Sequence, residues 1–419
     1  MLGMATESRQ PFSSFSNSLR VSVPPFLLSR LLILLAAFGL QYLLDTGRAI
    51  KYDFIGDAPL APLSANFDAN WYNSIAEEGY STSADVTRQQ NYHFFPLFPF
   101  LTYAVGKLAM LDNIQGGFAI GGVVLSHLLF LLALVVLHKL TLEVWHNDTL
   151  ATRSVWLMSV LPWSFVFSMT YTEALFLLLS LAAAMWAYRA SRRPLLLHVI
   201  PASLLSVLAS LTRPQGVIVS LLVMLLVAVV PRGLSMARRI GYATIAVIPA
   251  AISVGAFILY TGSRTGNLWA VLQNNRTWGN GWLAELPRIF TLPPANPLWF
   301  IDVYATIGLI TWVALLVLLT LQFTRTRRAE NEAPNQPALQ AWAIWPFVAY
   351  SWMYFLFTAI NSPSNNSWGR YLMVIFPCIW ALATITAGST QRQFTRLVTG
   401  GLTLQVLFLA GAVLQQATP

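Results

Sequence analysis

Three apolar runs follow one another at residues 174–187 (ALFLLLSLAAAMWA), 195–211 (LLLHVIPASLLSVLASL) and 217–230 (VIVSLLVMLLVAVV). A basic connector with Arg189, Arg192 and Arg193 joins the first two, and Thr212-Arg213-Pro214-Gln215-Gly216 joins the second to the third. A spanning helix needs about 20 largely apolar residues, within a range of about 17–25, so each run reads as a membrane crossing. The same pattern recurs outward in both directions. Phe26 to Leu44, Phe118 to Leu137 and Val155 to Met169 precede these runs. Ile240 to Tyr260, Phe300 to Phe323, Ala341 to Ile360, Tyr371 to Thr386 and Leu397 to Leu414 follow, for eleven candidate spans. The composition agrees. Of 419 residues, 56% are hydrophobic and only 10% charged, whereas a soluble domain carries about 25% charge. Charge is the class that a bilayer excludes most strongly. These values exclude a soluble enzyme, a disordered tail protein and a secreted disulfide scaffold. The single cysteine, Cys378, permits no intrachain disulfide. An all-α polytopic membrane protein, one integral domain over 1–419, is expected.

The net charge of +9 is a matter of topology rather than of nucleic acid. Basic residues cluster in short connectors, as they do in cytoplasmic loops. The ambiguous segment is Phe94 to Met110, apolar but interrupted by Pro96, Pro99 and Lys107. If it lies along the membrane surface, the clusters Arg189/Arg192/Arg193, Arg232/Arg238/Arg239, Arg325/Arg327/Arg328 and Arg392/Arg396 all fall on one side. That inner side then holds 16 bases, Arg30 among them, and 5 acids, against 9 bases and 11 acids outside. The segment therefore reads as juxtamembrane. Two long outer loops result, 45–117 and 261–299, both rich in Trp, Tyr, Phe, Pro and Asn. Long loops of this kind are usually functional.

The polar residues that need explaining all fall on the outer side. Asp68 precedes Trp71, Tyr72 and Ile75 at helical spacing, which suits a helix N-cap or a carboxylate held for general-base work. His93 stands at the polar edge of Phe94-Phe95-Pro96-Leu97-Phe98-Pro99, as an interface filler or a catalyst. Glu173, between Tyr171-Thr172 and an apolar run, is costly there without a partner or a cavity. Arg213 and Arg370 lie outside against the topological bias. Arg213 calls for a local partner such as Glu173 or an anionic ligand, and the two together point to a phosphate site, since arginine suits phosphate through its planar fork of donors. Gln215 shares the Thr212–Gly216 break, and Trp278 stands in the Gly/Asn/Trp-rich stretch 274–282. No Walker motif, dinucleotide fingerprint, Asp-x-Asp pair or His/Cys ligand set is present, so no metal or other cofactor is expected. No charge is read at the middle of a helix, which argues against an ion-coupled transporter.

These motifs resemble the PIG-V mannosyltransferase family. Asp68 with Trp71-Tyr72, Ile75-Ala76, Gly79-Tyr80 and Phe94-Phe95-Pro96-Leu97-Phe98-Pro99 carries most of the resemblance. Tyr171-Thr172-Glu173-Ala174-Leu175-Phe176, Thr212–Gly216, Trp278-Gly279 and Arg370-Tyr371 with Phe376-Pro377 extend it, from about 60 to 380. Where the family pattern has Trp-Asp, this chain has Phe67-Asp68. The resemblance implies a GT-C glycosyltransferase fold of about eleven transmembrane helices with juxtamembrane helices in the first outer loop. It implies an inverting transfer of mannose from a polyprenyl-phosphate-mannose donor to the hydroxyl of a lipid-linked or glycolipid acceptor. Asp68 would be the base. Arg213, Arg370 and His93 would face the donor phosphate, and Tyr72, Glu173, Gln215 and Trp278 would bind substrate. Donor lipid, acceptor lipid and membrane lipids are the implied partners, with no nucleic acid. A lipid or sugar flippase, or a non-catalytic assembly subunit of the same fold, is the alternative. Arginine far outnumbers lysine, so a bacterial plasma membrane with the site on its outer face is expected. The alternative is an endoplasmic reticulum membrane with a luminal site, where the sequons at Asn275 and Asn365 would matter.

Overall fold

The computed structural model describes residues 15–48, 57–113, 116–278, 298–332, 344–361 and 367–414, and these are helical throughout their ordered elements. Among the described residues, six helices are long and apolar enough to cross a membrane: α1 (Phe15–Asp45), α5 (Gly117–Trp145), α7 (Glu173–Arg192), α10 (Met236–Thr265), residues Thr306–Arg328 of α12 (Leu298–Glu332) and α16 (Gln391–Leu414). The chain is an integral membrane protein.

The other apolar runs form shorter or broken helices, so length alone does not reach the expected eleven. Val155 to Met169 is no straight span. α6 (Asp148–Val160) stops at Leu161, and the 3₁₀ segment Pro162–Ser168 turns away at 78°. Proline removes a backbone donor and pushes its predecessor out of the α region, which gives the break its sequence cause. α8 (Leu196–Ser210) and α9 (Gly216–Met224, continued by a π-turn over Leu225–Val229) meet at the 212–216 turn. There a Cβ on Gly216 would run into the backbone of Ala209 and Ser210. α13 (Trp345–Asn361), α14 (Trp368–Leu372) and α15 (Pro377–Ala387) complete this set.

α4 (Leu97–Leu108) has 12 residues, about 18 Å at 1.5 Å per residue. That is too short to span, in keeping with the juxtamembrane reading of 94–110. It packs on α3 (Asp68–Glu78) and α5, beside the short α2 (Ala61–Ser64). α7 is the most enclosed long helix. Trp163, Trp312, Trp368 and Trp380 are among the largest fully buried side chains.

One reading is corrected outright. The expectation that no helix carries a charge at its middle, with Arg30 counted on the inner side, is overturned: Arg30 lies at the midpoint of α1 and is buried. It was read as inner-side because Phe26 looked like the start of the helix. The helix begins at Phe15, and Pro24 and Pro25 lie within it.

Candidate active site

Two carboxylates stand at helix starts. Asp68 is the first residue of α3 and Glu173 the first of α7, where the partial positive charge of the helix end favours an acid. Asp68 is not the N-cap that its spacing suggested. Phe67 occupies that place with φ 48° and ψ −117°, and no side-chain cap bond forms. A positive φ on an aromatic residue is strained, of order 1–3 kcal/mol, and such strain concentrates at functional sites. It turns the chain so that the Asp68 side chain leaves the helix end and meets Arg370.

Arg370 arrives from α14 and is 3% exposed, while the Asp68 side chain keeps 25% of its surface open. Arg370 Nη2 lies 2.6 Å from Asp68 Oδ2, and its Nε lies 3.3 Å from Glu173 Oε1. Arg213, from the α8–α9 turn, donates through Nη2 to the same Glu173 Oε1 at 2.8 Å. Two acids and two arginines thus form one chain, Asp68–Arg370–Glu173–Arg213, of zero formal charge. The partner anticipated for Arg213 is Glu173, and Glu173 is shared by both arginines. One donor in the cluster, Arg213 Nη1, is buried without a hydrogen-bond acceptor. The guanidinium of Arg370 lies over the rings of Tyr171 (4.8 Å) and Tyr371 (4.7 Å), and that of Arg213 lies 5.4 Å from Tyr371.

The remaining candidates divide. Tyr72, one turn after Asp68, is buried edge-on against Phe94 and Phe98 at 5.0 and 5.3 Å. Burial raises its phenol pKa, reinforced by the nearby Asp68 charge. Its ring is enclosed by protein, so it contributes a hydroxyl edge rather than the open face expected of a sugar platform. His93 stacks on Trp278 at 4.8 Å, and Trp278 also meets Trp71 at 5.5 Å and Phe94 at 5.2 Å. This aromatic wall joins the two long loops. Asn274 fastens them by donating to the carbonyls of Val86 and Arg88 and accepting from the Gln90 amide and from Trp278 Nε1. Gln215 precedes α9, and its Oε1 is buried without a partner. Gly279 to Trp282 and Asn365 lie outside the described residues.

Sequence reasoning gave no role to Tyr171, Trp71, Phe94, Tyr371 or Asn274. Tyr171 donates its hydroxyl to the Asn66 carbonyl at 3.0 Å while carrying Arg370 on its ring. Its adjacency to Glu173 was the one available signal.

Burial pushes the His93 imidazole down to about 4 from an ordinary 6.5, against the opposing pull of the Asp68 charge. At neutral pH the ring is therefore uncharged and brings no positive charge to a phosphate. Between about 4 and 6.5 the unfolded chain binds the extra proton and the folded one does not, so stability rises with pH there. The expected result is a melting temperature that falls as pH drops from about 6.5 towards 4, with this component absent in His93→Phe. A thermal-shift series on both proteins measures it.

With this geometry in view, the comparison with known proteins is informative. Residues 57–240 match the mannosyltransferase (PIG-V) family. The PIG-V segment carries Asp68, Tyr72, His93, Glu173, Arg213 and Gln215, and it ends before Trp278 and Arg370, short of the expected residue 380. No curated protein sequence matches the chain. Among solved structures, an Archaeoglobus fulgidus oligosaccharyltransferase complex with Zn and sulfate is similar over 92% of this chain and 53% of its own. The identity there is 13% and the TM-score 0.43. The same oligosaccharyltransferase tethered to an acceptor peptide containing the NVT sequon aligns over 93% and 55%, at 11% identity and TM-score 0.40. The chain spans about half the length of these structures.

Proposed function

We propose that this protein is an inverting GT-C glycosyltransferase that moves mannose from a polyprenyl-phosphate donor to a lipid-linked acceptor hydroxyl. The observation that carries the reading is the part-open Asp68 carboxylate fixed by a buried arginine that also reaches Glu173. Asp68 takes the proton of the acceptor hydroxyl as its oxygen forms a bond to the anomeric carbon. The bond from that carbon to the phosphate oxygen breaks on the opposite face, and the phosphate leaves with one more negative charge than it had as a diester. Arg213 has a buried donor without an acceptor for that charge, and Arg370 adds its positive charge from between Asp68 and Glu173. Preorganised donors of this kind are worth about 2.7–4 kcal/mol each in the transition state. Glu173 keeps both guanidinium groups in place. The wall of Trp71, Phe94 and Trp278 supplies the apolar face for the sugar.

Because arginines meet the phosphate, the reading needs no divalent ion. Purified protein given radiolabelled polyprenyl-phosphate mannose and membrane lipid extract is expected to yield labelled glycolipid at the same rate with and without EDTA. A loss of transfer on chelation, restored by added metal, would overturn the metal-free part of the proposal. The outer face of a bacterial plasma membrane remains the proposed location, because the tetrad gathers residues from connectors that the charge bias places outside.

A further inference from the structure

Arg30 is a cation at the middle of a membrane-spanning helix, 2% exposed, and the oxygens that it reaches in its network are neutral. Nη1 donates to the Ser164 carbonyl at 2.8 Å and to Ser168 Oγ at 3.0 Å. Nη2 donates to the Ser159 carbonyl at 3.2 Å, Ser164 Oγ at 3.1 Å and Gln405 Oε1 at 3.3 Å, and Nε donates to Ser29 Oγ at 3.2 Å. Phe130 packs on the guanidinium at 4.7 Å. Backbone carbonyls freed at a break inside a bilayer must be satisfied by protein. The 78° break after α6 is where these carbonyls lie, and Gln405 Nε2 joins Arg30 on the Ser159 carbonyl at 2.7 Å.

The segment that Arg30 grips leads directly into the tetrad. At its start, Trp163 lies flush against Gly369, where a Cβ would overlap the indole, and Gly369 precedes Arg370. Further on, Thr170 donates its amide to the Leu63 carbonyl and its hydroxyl to the Ala119 carbonyl, both at 3.0 Å. Tyr171 then bonds the Asn66 carbonyl, two residues before Asp68, and supports Arg370 on its ring. Glu173 follows. One short stretch therefore touches the supports of Asp68, Glu173 and Arg370, and its far end is held by the forked Arg30 cation with Gln405 beside it.

We infer that Arg30 is a positioning residue: by gripping the 159–168 break it holds Tyr171 and Glu173 in register with Asp68 and Arg370. The inference rests on the proposed transferase reading for its effect on rate, but its geometric content can be measured without activity. In Arg30→Gln, full-length protein in detergent is expected to show amide hydrogen exchange at least tenfold faster over 162–172 and 63–70, with α8 and α10 unchanged. Its transfer kcat is expected to fall at least tenfold with donor KM within threefold of wild type. Combining it with Tyr171→Phe should give a loss no greater than the larger single loss, because both act through one contact chain. Arg30→Lys keeps the charge but not the fork and should stay slow.

Gln405→Leu removes the second grip on the same carbonyl without adding charge, and it covers the case in which Arg30→Gln does not fold. It is expected to speed exchange over the same segments at least threefold. Wild-type exchange in Gln405→Leu or in Arg30→Gln would overturn the inference. So would full turnover in Arg30→Lys, or losses that multiply in the double variant. Faster exchange in a protein whose wild type transfers no mannose would instead overturn the transferase reading and leave the positioning role standing.

Discussion

Asp68→Asn is expected to lower transfer by about 10²- to 10⁴-fold, the usual worth of a positioned general base. Asparagine has nearly the same shape, and its carbonyl oxygen can still accept from Arg370 across the 2.6 Å contact. The fold should survive. What changes besides the base is the charge of the tetrad, which moves from zero to +1 with both arginines retained. An anionic lipid-phosphate donor is therefore expected to bind at least as tightly as to wild type while turnover collapses. Initial rates with radiolabelled donor, set beside a direct donor-binding measurement, read the two effects separately. Turnover equal to wild type would remove Asp68 from the chemistry and move the base to Glu173. Loss of donor binding together with turnover would make Asp68 a binding residue.

Arg370→Met should produce the largest combined loss. The guanidinium is buried between Asp68 and Glu173 and lies on two tyrosine rings. Removing one member of a buried ion pair typically costs about 3–5 kcal/mol, because the charge left behind is uncompensated. Here Glu173 would keep Arg213, and Asp68 would lose its arginine. Transfer is expected to fall by about 10²- to 10³-fold as well, the measured effect of removing one donor from a developing oxyanion. Arg370→Lys separates the two consequences. An ammonium restores the charge, so much of the stability should return. It cannot bridge two carboxylates while lying flat on an aromatic ring, so the rate should remain low. Melting temperatures and initial rates of the three proteins are the measurement, and a lysine variant with wild-type rate would show that the fork is not needed.

The membrane architecture was legible because it follows from the strongest local signal, the exclusion of charge from long apolar runs. α5, α7 and α10 lie where hydropathy puts them, and α4 is short, capped by Pro96 with Pro99 in its first turn. Hydropathy was silent where a run is interrupted by geometry rather than by polarity. Pro162 bends the chain by 78° inside an apolar stretch, and no average over residue types registers a bend. Arg30 was misplaced for the opposite reason. An apolar environment is predicted to repel it, but six neutral oxygens from Ser29, Ser159, Ser164, Ser168 and Gln405 accept it. Four of the five positions that supply them lie far from Arg30 in sequence.

The candidate site shows the same division. That Asp68, Glu173, Arg213 and Arg370 needed explaining was a sequence-level conclusion, because a charged residue beside an apolar run carries a solvation cost wherever the chain folds. That they form one chain, with Glu173 serving both arginines and Arg370 serving both acids, was decided by tertiary structure. Their separations along the chain are set by helix lengths, whereas their separations in space are set by how α3, α7, the α8–α9 turn and α14 pack. His93 and Tyr72 make the same point from the other side. The resemblance put His93 at the donor phosphate and Tyr72 among the substrate-binding residues. Burial against Trp278, and between Phe94 and Phe98, makes one an uncharged ring and the other an enclosed one. Residue type determines which groups are costly to bury; only the packing of distant segments determines which partner removes that cost.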